Sequence, residues 1–184
     1  MIIIAKSKYK NNKKIKINKE QKVLIHRLSQ FNILTNTLIE KSTNLKESSI
    51  KFKELIENKV IEKTEKFNYK NQETYAYKLT RKGKNLAKNE GFTVYYSNSK
   101  KHDLAHATNV INCFNDKLDF YKSEKELKEI KGFSRCDGAI ECPSGTILIE
   151  TITKSYSKDK IDSKRAYAER YDAEQCVEYQ EFRN

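Results

Sequence analysis

The chain has 184 residues, of which 37% are hydrophobic and 34% charged, with one Pro and five Gly. This composition excludes general disorder, a low-complexity linker and a bundle of membrane spans. The net charge of +12 makes an anionic partner the first expectation.

The positive charge is concentrated in the first half of the chain. Residues 1–100 contain 23 Lys and Arg against 9 Asp and Glu, whereas residues 101–184 contain 14 against 16. A bias towards Lys codons is an alternative source of the excess, but such a bias would raise the Lys content of both halves. The uneven distribution therefore favours a polyanion bound by the first half.

Residues 1–17 contain six Lys and no acidic residue. This segment is either a basic arm that lies along phosphates or a frayed tail. The apolar residues 1–4 are far too few for a secretory signal, and the four cysteines form no CxxC pair. We therefore expect a cytoplasmic protein with reduced thiols and no membrane contact.

Three closely spaced helices are predicted after this segment. Asn18 is a candidate N-cap for the first helix, which ends near Asn32. A short second helix contains Leu38 and Ile39, and the third is predicted over residues 45–58. A tight turn before the third helix is typical of a helix-turn-helix, in which the exposed face of that helix enters the major groove of DNA.

A hairpin is predicted directly after the third helix. Residues 60–67 and 74–79 read as strands joined by a polar turn, and Thr80 is a candidate cap for a fourth helix that stops at Gly91. This order of elements, with the sequence LTRKG before the last helix, resembles the winged-helix superfamily of bacterial regulators. Residues 18–92 are therefore predicted to form a winged helix-turn-helix that binds double-stranded DNA, with a winged helix used only for protein contacts as the alternative.

The candidate DNA-contacting residues are polar, basic or exposed in this arrangement. They are Lys46, Ser49, Ile50 and Lys53 on the third helix, Lys66 and Lys70 on the hairpin, and Arg81.

Two acidic residues on neighbouring predicted strands mark the second half of the chain, residues 100–184. Asp137 begins one strand, Glu150 lies on the next, and a helix over residues 160–171 follows. Two carboxylates side by side can hold Mg²⁺ against a phosphodiester. The arrangement resembles the core of PD-(D/E)XK nucleases; alternatively, Asp137 belongs to a turn and Glu150 is a lone strand acid paired with a Lys.

The sequence departs from that nuclease pattern at the expected lysine. The position two residues after Glu150 is Ile152, and Lys154 lies two residues further along. Lys160 or Lys164 of the following helix could take the role instead. We therefore expect a nuclease-like domain without catalysis; if it is a nuclease, its site is Asp137, Glu150 and Lys154 with Mg²⁺ as cofactor.

A zinc site is a further alternative. His102 and His106 are separated by one helical turn, a spacing that suits two zinc ligands, and Cys136 and Cys142 would complete the set. The spacing of the two cysteines is not that of a zinc knuckle.

The whole chain resembles the replication-relaxation proteins of Gram-positive plasmids and related mobile elements. The resemblance is carried by the winged helix ending in LTRKG, a helix starting near His102, the sequences CDGAIE and ILIET, and a Lys-containing helix ending near Tyr171. It implies double-stranded DNA binding in replication control, mobilisation or transcription regulation of a plasmid or phage. The predicted fold class is α+β, with a winged helix followed by a small α/β module. A homodimer is left open. The alternative function is a metal-dependent endonuclease of PD-(D/E)XK type that the winged helix directs to DNA.

Overall fold

A computed structural model describes residues 15–171 and 177–183 and shows a mixed α+β fold. Most of the basic segment 1–17 lies outside the described residues; Ile15 and Ile17, at its end, pack against the core and are not part of a free arm. The α-helices of the described chain are α1 (Lys19–Phe31), α2 (Asn36–Thr43), α3 (Ile50–Glu57), α4 (Arg81–Asn89), α5 (Lys100–Phe114) and α6 (Lys158–Tyr171). Its strands are β1 (Ile33–Leu34), β2 (Ile61–Lys63), β3 (Phe67–Tyr69), β4 (Gln72–Thr74), β5 (Tyr77–Leu79), β6 (Tyr121–Ser123), β7 (Gly138–Cys142), β8 (Gly145–Ile152) and β9 (Val177–Arg183). None of the described helices has the length and apolar character needed to cross a membrane.

Side-chain caps fix where the helices of the first half begin. Asn18 forms a reciprocal capping box with Gln21 at the start of α1, and Thr80 accepts a hydrogen bond from the Gly83 amide at the start of α4. Ser49 caps α3 in the same way. The third helix therefore begins at Ile50, five residues later than the sequence pattern indicates.

Three strands of the first half form a small antiparallel sheet in the order β1-β5-β2, and β3 and β4 extend from it as a separate hairpin. Lys70 and Asn71 at the hairpin tip both have left-handed φ angles, 51° and 63°. Such a turn matches the twist of the paired strands. Helix α4 lies directly on the sheet, because a Cβ atom on Gly83 would approach the Val60 carbonyl oxygen to 2.0 Å.

The second half is a four-stranded sheet in the order β6-β7-β8-β9, antiparallel except for the parallel pair β8 and β9. Helix α6 connects those two parallel strands, as a crossover must. Ile140 and Ile149 face the core shared with α5, whereas Ala139 and Leu148 face Tyr167 of α6. The sheet is therefore covered by a helix on each face.

The two halves share one apolar core, which extends from α1 to the sheet of the second half. The buried Arg27 of α1 strengthens this junction by donating to the Leu118 carbonyl oxygen at 2.7 Å and to the Asp119 carboxylate at 2.6 Å. Gln30 of α1 donates to the Tyr121 carbonyl oxygen at 2.8 Å. The predicted division into residues 18–92 and 100–184 thus separates two units that are packed together.

Candidate active site

The β7–β8 hairpin places Asp137 and Glu150 next to each other. Gly138 of β7 is paired with Ile149 of β8. Asp137, which precedes Gly138, therefore lies opposite Glu150, which follows Ile149. The Asp137 amide donates to Glu150 Oε2 at 3.1 Å, and Asp137 Oδ2 accepts from the Thr151 amide at 2.9 Å. Asp137 is 6% exposed and Glu150 is 1% exposed. The two carboxylates therefore form a buried pair fixed by backbone hydrogen bonds.

A lysine of α6 reaches both carboxylates. Lys164 Nζ lies 3.1 Å from Asp137 Oδ1 and 2.7 Å from Glu150 Oε2, and its side chain is 3% exposed. The candidate Lys154 is wrong: β8 ends at Ile152, the chain turns away, and Lys154 is exposed to solvent. The lysine beside the acids therefore comes from the crossover helix.

The charges of this cluster depend on one another. Burial alone would raise the pKa of Asp137, but the hydrogen bond from His102 and the charge of Lys164 hold it well below its usual range. Burial and the charge of Asp137 raise the pKa of Glu150 to about 7, although Lys164 acts in the opposite direction. Burial alone would lower the pKa of Lys164, but the two carboxylates raise it, so the amine stays charged. Glu150 is thus the member of the trio that titrates near neutrality.

His102 joins the cluster through a chain of polar contacts that begins in the first unit. Asn32 Nδ2, at the end of α1, donates to Asp103 Oδ2 at 2.8 Å. Asp103 Oδ1 lies 3.7 Å from His102 Nδ1, and His102 Nε2 lies 3.0 Å from Asp137 Oδ2. Burial alone would lower the pKa of His102, but the two acids raise it to about 10. The imidazole is therefore a cation held between two carboxylates.

His106 sits one turn further along α5 and is neutral. Its Nδ1 lies 3.0 Å from Thr151 Oγ1, its Nε2 lies 2.8 Å from the Tyr121 hydroxyl, and burial lowers its pKa to about 4. Gly138 makes room for that tyrosine, since a Cβ atom there would approach the Tyr121 hydroxyl to 2.6 Å.

The described structure does not bring the four candidate zinc ligands together. Both ring nitrogens of His106 are engaged by hydroxyls, and Cys136 belongs to the core on the α6 side of the sheet. Cys142 lies at the far end of β7, opposite Gly145. Within residues 15–171 and 177–183, no group of three or more His, Cys, Asp or Glu is placed to hold a metal ion.

A cavity of about 340 Å³ opens onto the cluster. Its lining includes Asp137, His102 and Lys164, together with several hydroxyl groups. Glu150 Oε1 is buried and has no hydrogen-bond partner within the described chain. A buried carboxylate oxygen without a partner is costly, and hard cations such as Mg²⁺ take carboxylate oxygens as ligands. Asp137 and Glu150 are carboxylates of the kind that a divalent cation takes as ligands, but of the two only Asp137 lines the cavity, and Lys164 and His102 already neutralise the pair.

Most of the candidate DNA-contacting residues are exposed to solvent. Ile50 is 75% exposed, and Lys46 and Lys53 are also exposed. Ser49 differs from the expectation, because its hydroxyl caps α3 and donates to the Lys46 carbonyl oxygen. The remaining three candidates are exposed, on the hairpin or the first turn of α4: Lys66, Lys70 and Arg81.

Comparison of the chain with protein-family models, with curated proteins and with solved structures finds no match.

Proposed function

We propose that this protein binds double-stranded DNA through a winged helix formed by its first unit. The proposal is supported by the order of elements, in which α1, β1, α2 and α3 precede β2, the β3–β4 hairpin and β5. The main support is a set of exposed side chains: Ile50 and Lys53 on α3, Lys46 before that helix, and Lys70 at the tip of the β3–β4 hairpin. An exposed apolar side chain among lysines suits the major groove, where methyl groups and phosphates are both within reach.

Salt dependence tests this proposal. If the surface makes about six phosphate contacts, raising the salt from about 50 to 200 mM lowers the affinity for a duplex about a thousandfold. The measurement is fluorescence anisotropy of a labelled duplex across a salt series. An affinity that does not change with salt would exclude the proposed surface.

A second candidate function is favoured by the position of Lys164. We propose that the second unit is a PD-(D/E)XK-like site that cleaves DNA, with the lysine supplied by α6 in place of the one missing at Ile152. Asp137 and Glu150 would hold Mg²⁺, which activates water and polarises a phosphodiester when it is bound. In this proposal Lys164 would contact the attacking water or a phosphate oxygen, and burial of its ammonium would strengthen either contact. This proposal replaces the expectation of a domain without catalysis.

Plasmid cleavage tests the second candidate. We expect nicking or linearisation of supercoiled DNA in Mg²⁺ or Mn²⁺, and loss of that activity in Asp137→Ala and Lys164→Ala. Lys154→Ala is the matched control, because it removes a lysine close in sequence but outside the site. Cleavage that survives Asp137→Ala would come from a contaminant, and no cleavage by the unaltered protein with either metal would leave DNA binding as the function.

The setting that we propose is replication control, mobilisation or transcription regulation of a plasmid or phage. This follows from the sequence resemblance to replication-relaxation proteins. It predicts that the chain binds DNA near its own gene more tightly than unrelated DNA, which a binding assay with both fragments can test.

A further inference from the structure

An exposed aromatic side chain lies beside the cavity of the candidate site. Residues 92–99 connect α4 to α5. Within this connection Tyr95 and Ser97 line the cavity, whereas Tyr96 is 49% exposed and is absent from the lining. Tyr96 thus has a large, half-exposed ring, and the residues before and after it in the chain both line the cavity.

Two ammonium groups from different units flank this ring. Lys84 Nζ of α4 lies 4.6 Å from the Tyr96 ring centroid, and Lys125 Nζ of the second unit lies 5.1 Å from it. Lys125 is held there by the Val94 carbonyl oxygen, at 3.4 Å. Neither lysine is within salt-bridge distance of a carboxylate among the described residues. Both ammonium groups lie over the ring itself, so a base that stacks there would displace them towards its own phosphates.

The hairpin of the first unit approaches the same place. Lys100 Nζ, in the first turn of α5, lies 5.8 Å from the ring of Phe67 in β3. Ser99, the N-cap of that helix, lines the cavity. The hairpin therefore lies close to the start of α5, where the connecting segment that carries Tyr96 meets the cavity.

From this juxtaposition we propose that Tyr96, Lys84 and Lys125 bind an unpaired nucleotide, so that the preferred ligand is a duplex that continues into a single strand. The base stacks on the Tyr96 ring and the two lysines contact the flanking phosphates, a combination typical of single-strand binding. Bases inside an intact duplex are already stacked and cannot reach the ring. The inference rests on the proposed DNA binding and does not require cleavage.

Binding measurements with and without metal test the inference. The probes are a blunt duplex and the same duplex with a single-stranded tail of about three nucleotides, on the 3′ or the 5′ end, in EDTA and in Ca²⁺. We expect the unaltered protein to bind one tailed duplex at least about fivefold more tightly than the blunt one, since stacking of one base gives an effect of this order. Tyr96→Ala should abolish this preference and leave blunt-duplex affinity unchanged, whereas Tyr96→Phe should keep it.

Phe120→Ala is the matched control, because Phe120 is exposed to a similar extent (45%) and does not line the cavity of the site. Lys84→Gln and Lys125→Gln should each weaken tailed-duplex binding. The inference is overturned if neither tail improves binding, or if Tyr96→Ala weakens both ligands equally. A protein that binds neither ligand contradicts the proposed DNA binding itself, and tail preference without cleavage contradicts only the nuclease candidate.

Discussion

The hairpin of the first unit and the carboxylate cluster of the second unit differ in how far their ion pairs are exposed to solvent. On the hairpin, Lys66 and Glu73 form an ion pair in which both side chains are 66% exposed. In the second unit, Lys164 contacts Asp137 and Glu150 with all three side chains at most 5% exposed. Exposed charges remain hydrated and contribute little individually, whereas buried charges are stable only as a complete set. The first region can therefore lose a lysine at small cost, and the second cannot.

Removal of the buried lysine is the largest effect that we expect. Lys164→Ala should lower the free energy of unfolding by about 3–5 kcal/mol, because Glu150 is then left buried without its cation and Asp137 keeps only His102. Urea denaturation followed by circular dichroism measures this change. Lys154→Ala, the exposed control, should stay within about 0.5 kcal/mol of the unaltered protein. If Lys164→Ala and Lys154→Ala lowered the free energy of unfolding equally, buried and exposed charges would not differ as described.

The pH dependence of stability gives an intermediate effect. Burial lowers the pKa of His106 to about 4, below its ordinary value of 6.5, so folding favours the neutral ring. Its contribution is fully present above pH 6.5 and is lost as the pH falls towards 4, a change on the order of 1–3 kcal/mol. Urea denaturation across this pH range should show the decline, and His106→Gln should reduce its slope. His26, whose pKa burial also lowers to about 4, adds a slope of the same sign, whereas the raised pKa of Glu150 gives a slope of the opposite sign. The test is therefore the difference in slope between the unaltered protein and His106→Gln.

The smallest effects are expected on the exposed surface that we propose binds DNA. Lys70→Ala should weaken binding to every duplex by about 1 kcal/mol or less, because it removes one exposed phosphate contact. Lys53→Ala on α3 should change the ranking of different sequences as well. Competition binding with several duplexes measures both. If the two variants behave alike, α3 is not the helix that reads the sequence.

The parts of the fold that the sequence predicts well are those set by local chemistry. Asn18 and Thr80 cap helices as expected, and the turn between β7 and β8 pairs Asp137 with Glu150. The start of α3 was predicted too early because Leu45 is apolar and buried, yet it packs into the core from a turn that precedes the helix.

The site itself was only half predictable. In a continuing strand, Lys154 would point to the same face of the sheet as the lysine that the nuclease pattern expects at position 152. Because β8 ends at Ile152, this alternation does not extend to Lys154. Lys164 is recognisable only when the crossover helix is placed on the sheet, which is a long-range packing event. The spacing of His102 and His106 correctly places both in one site, but their partners are carboxylates and hydroxyls rather than zinc ligands.

The shared core has a consequence for modularity. Helix α1 supports the first unit with one face, while its Arg27 and Gln30 are committed to backbone oxygens of the second. A fragment that ends at the connection between α4 and α5 would leave a buried guanidinium and a patch of core residues facing water. The first unit is therefore not a transplantable module: a fusion protein that includes it would have to include the second unit as well.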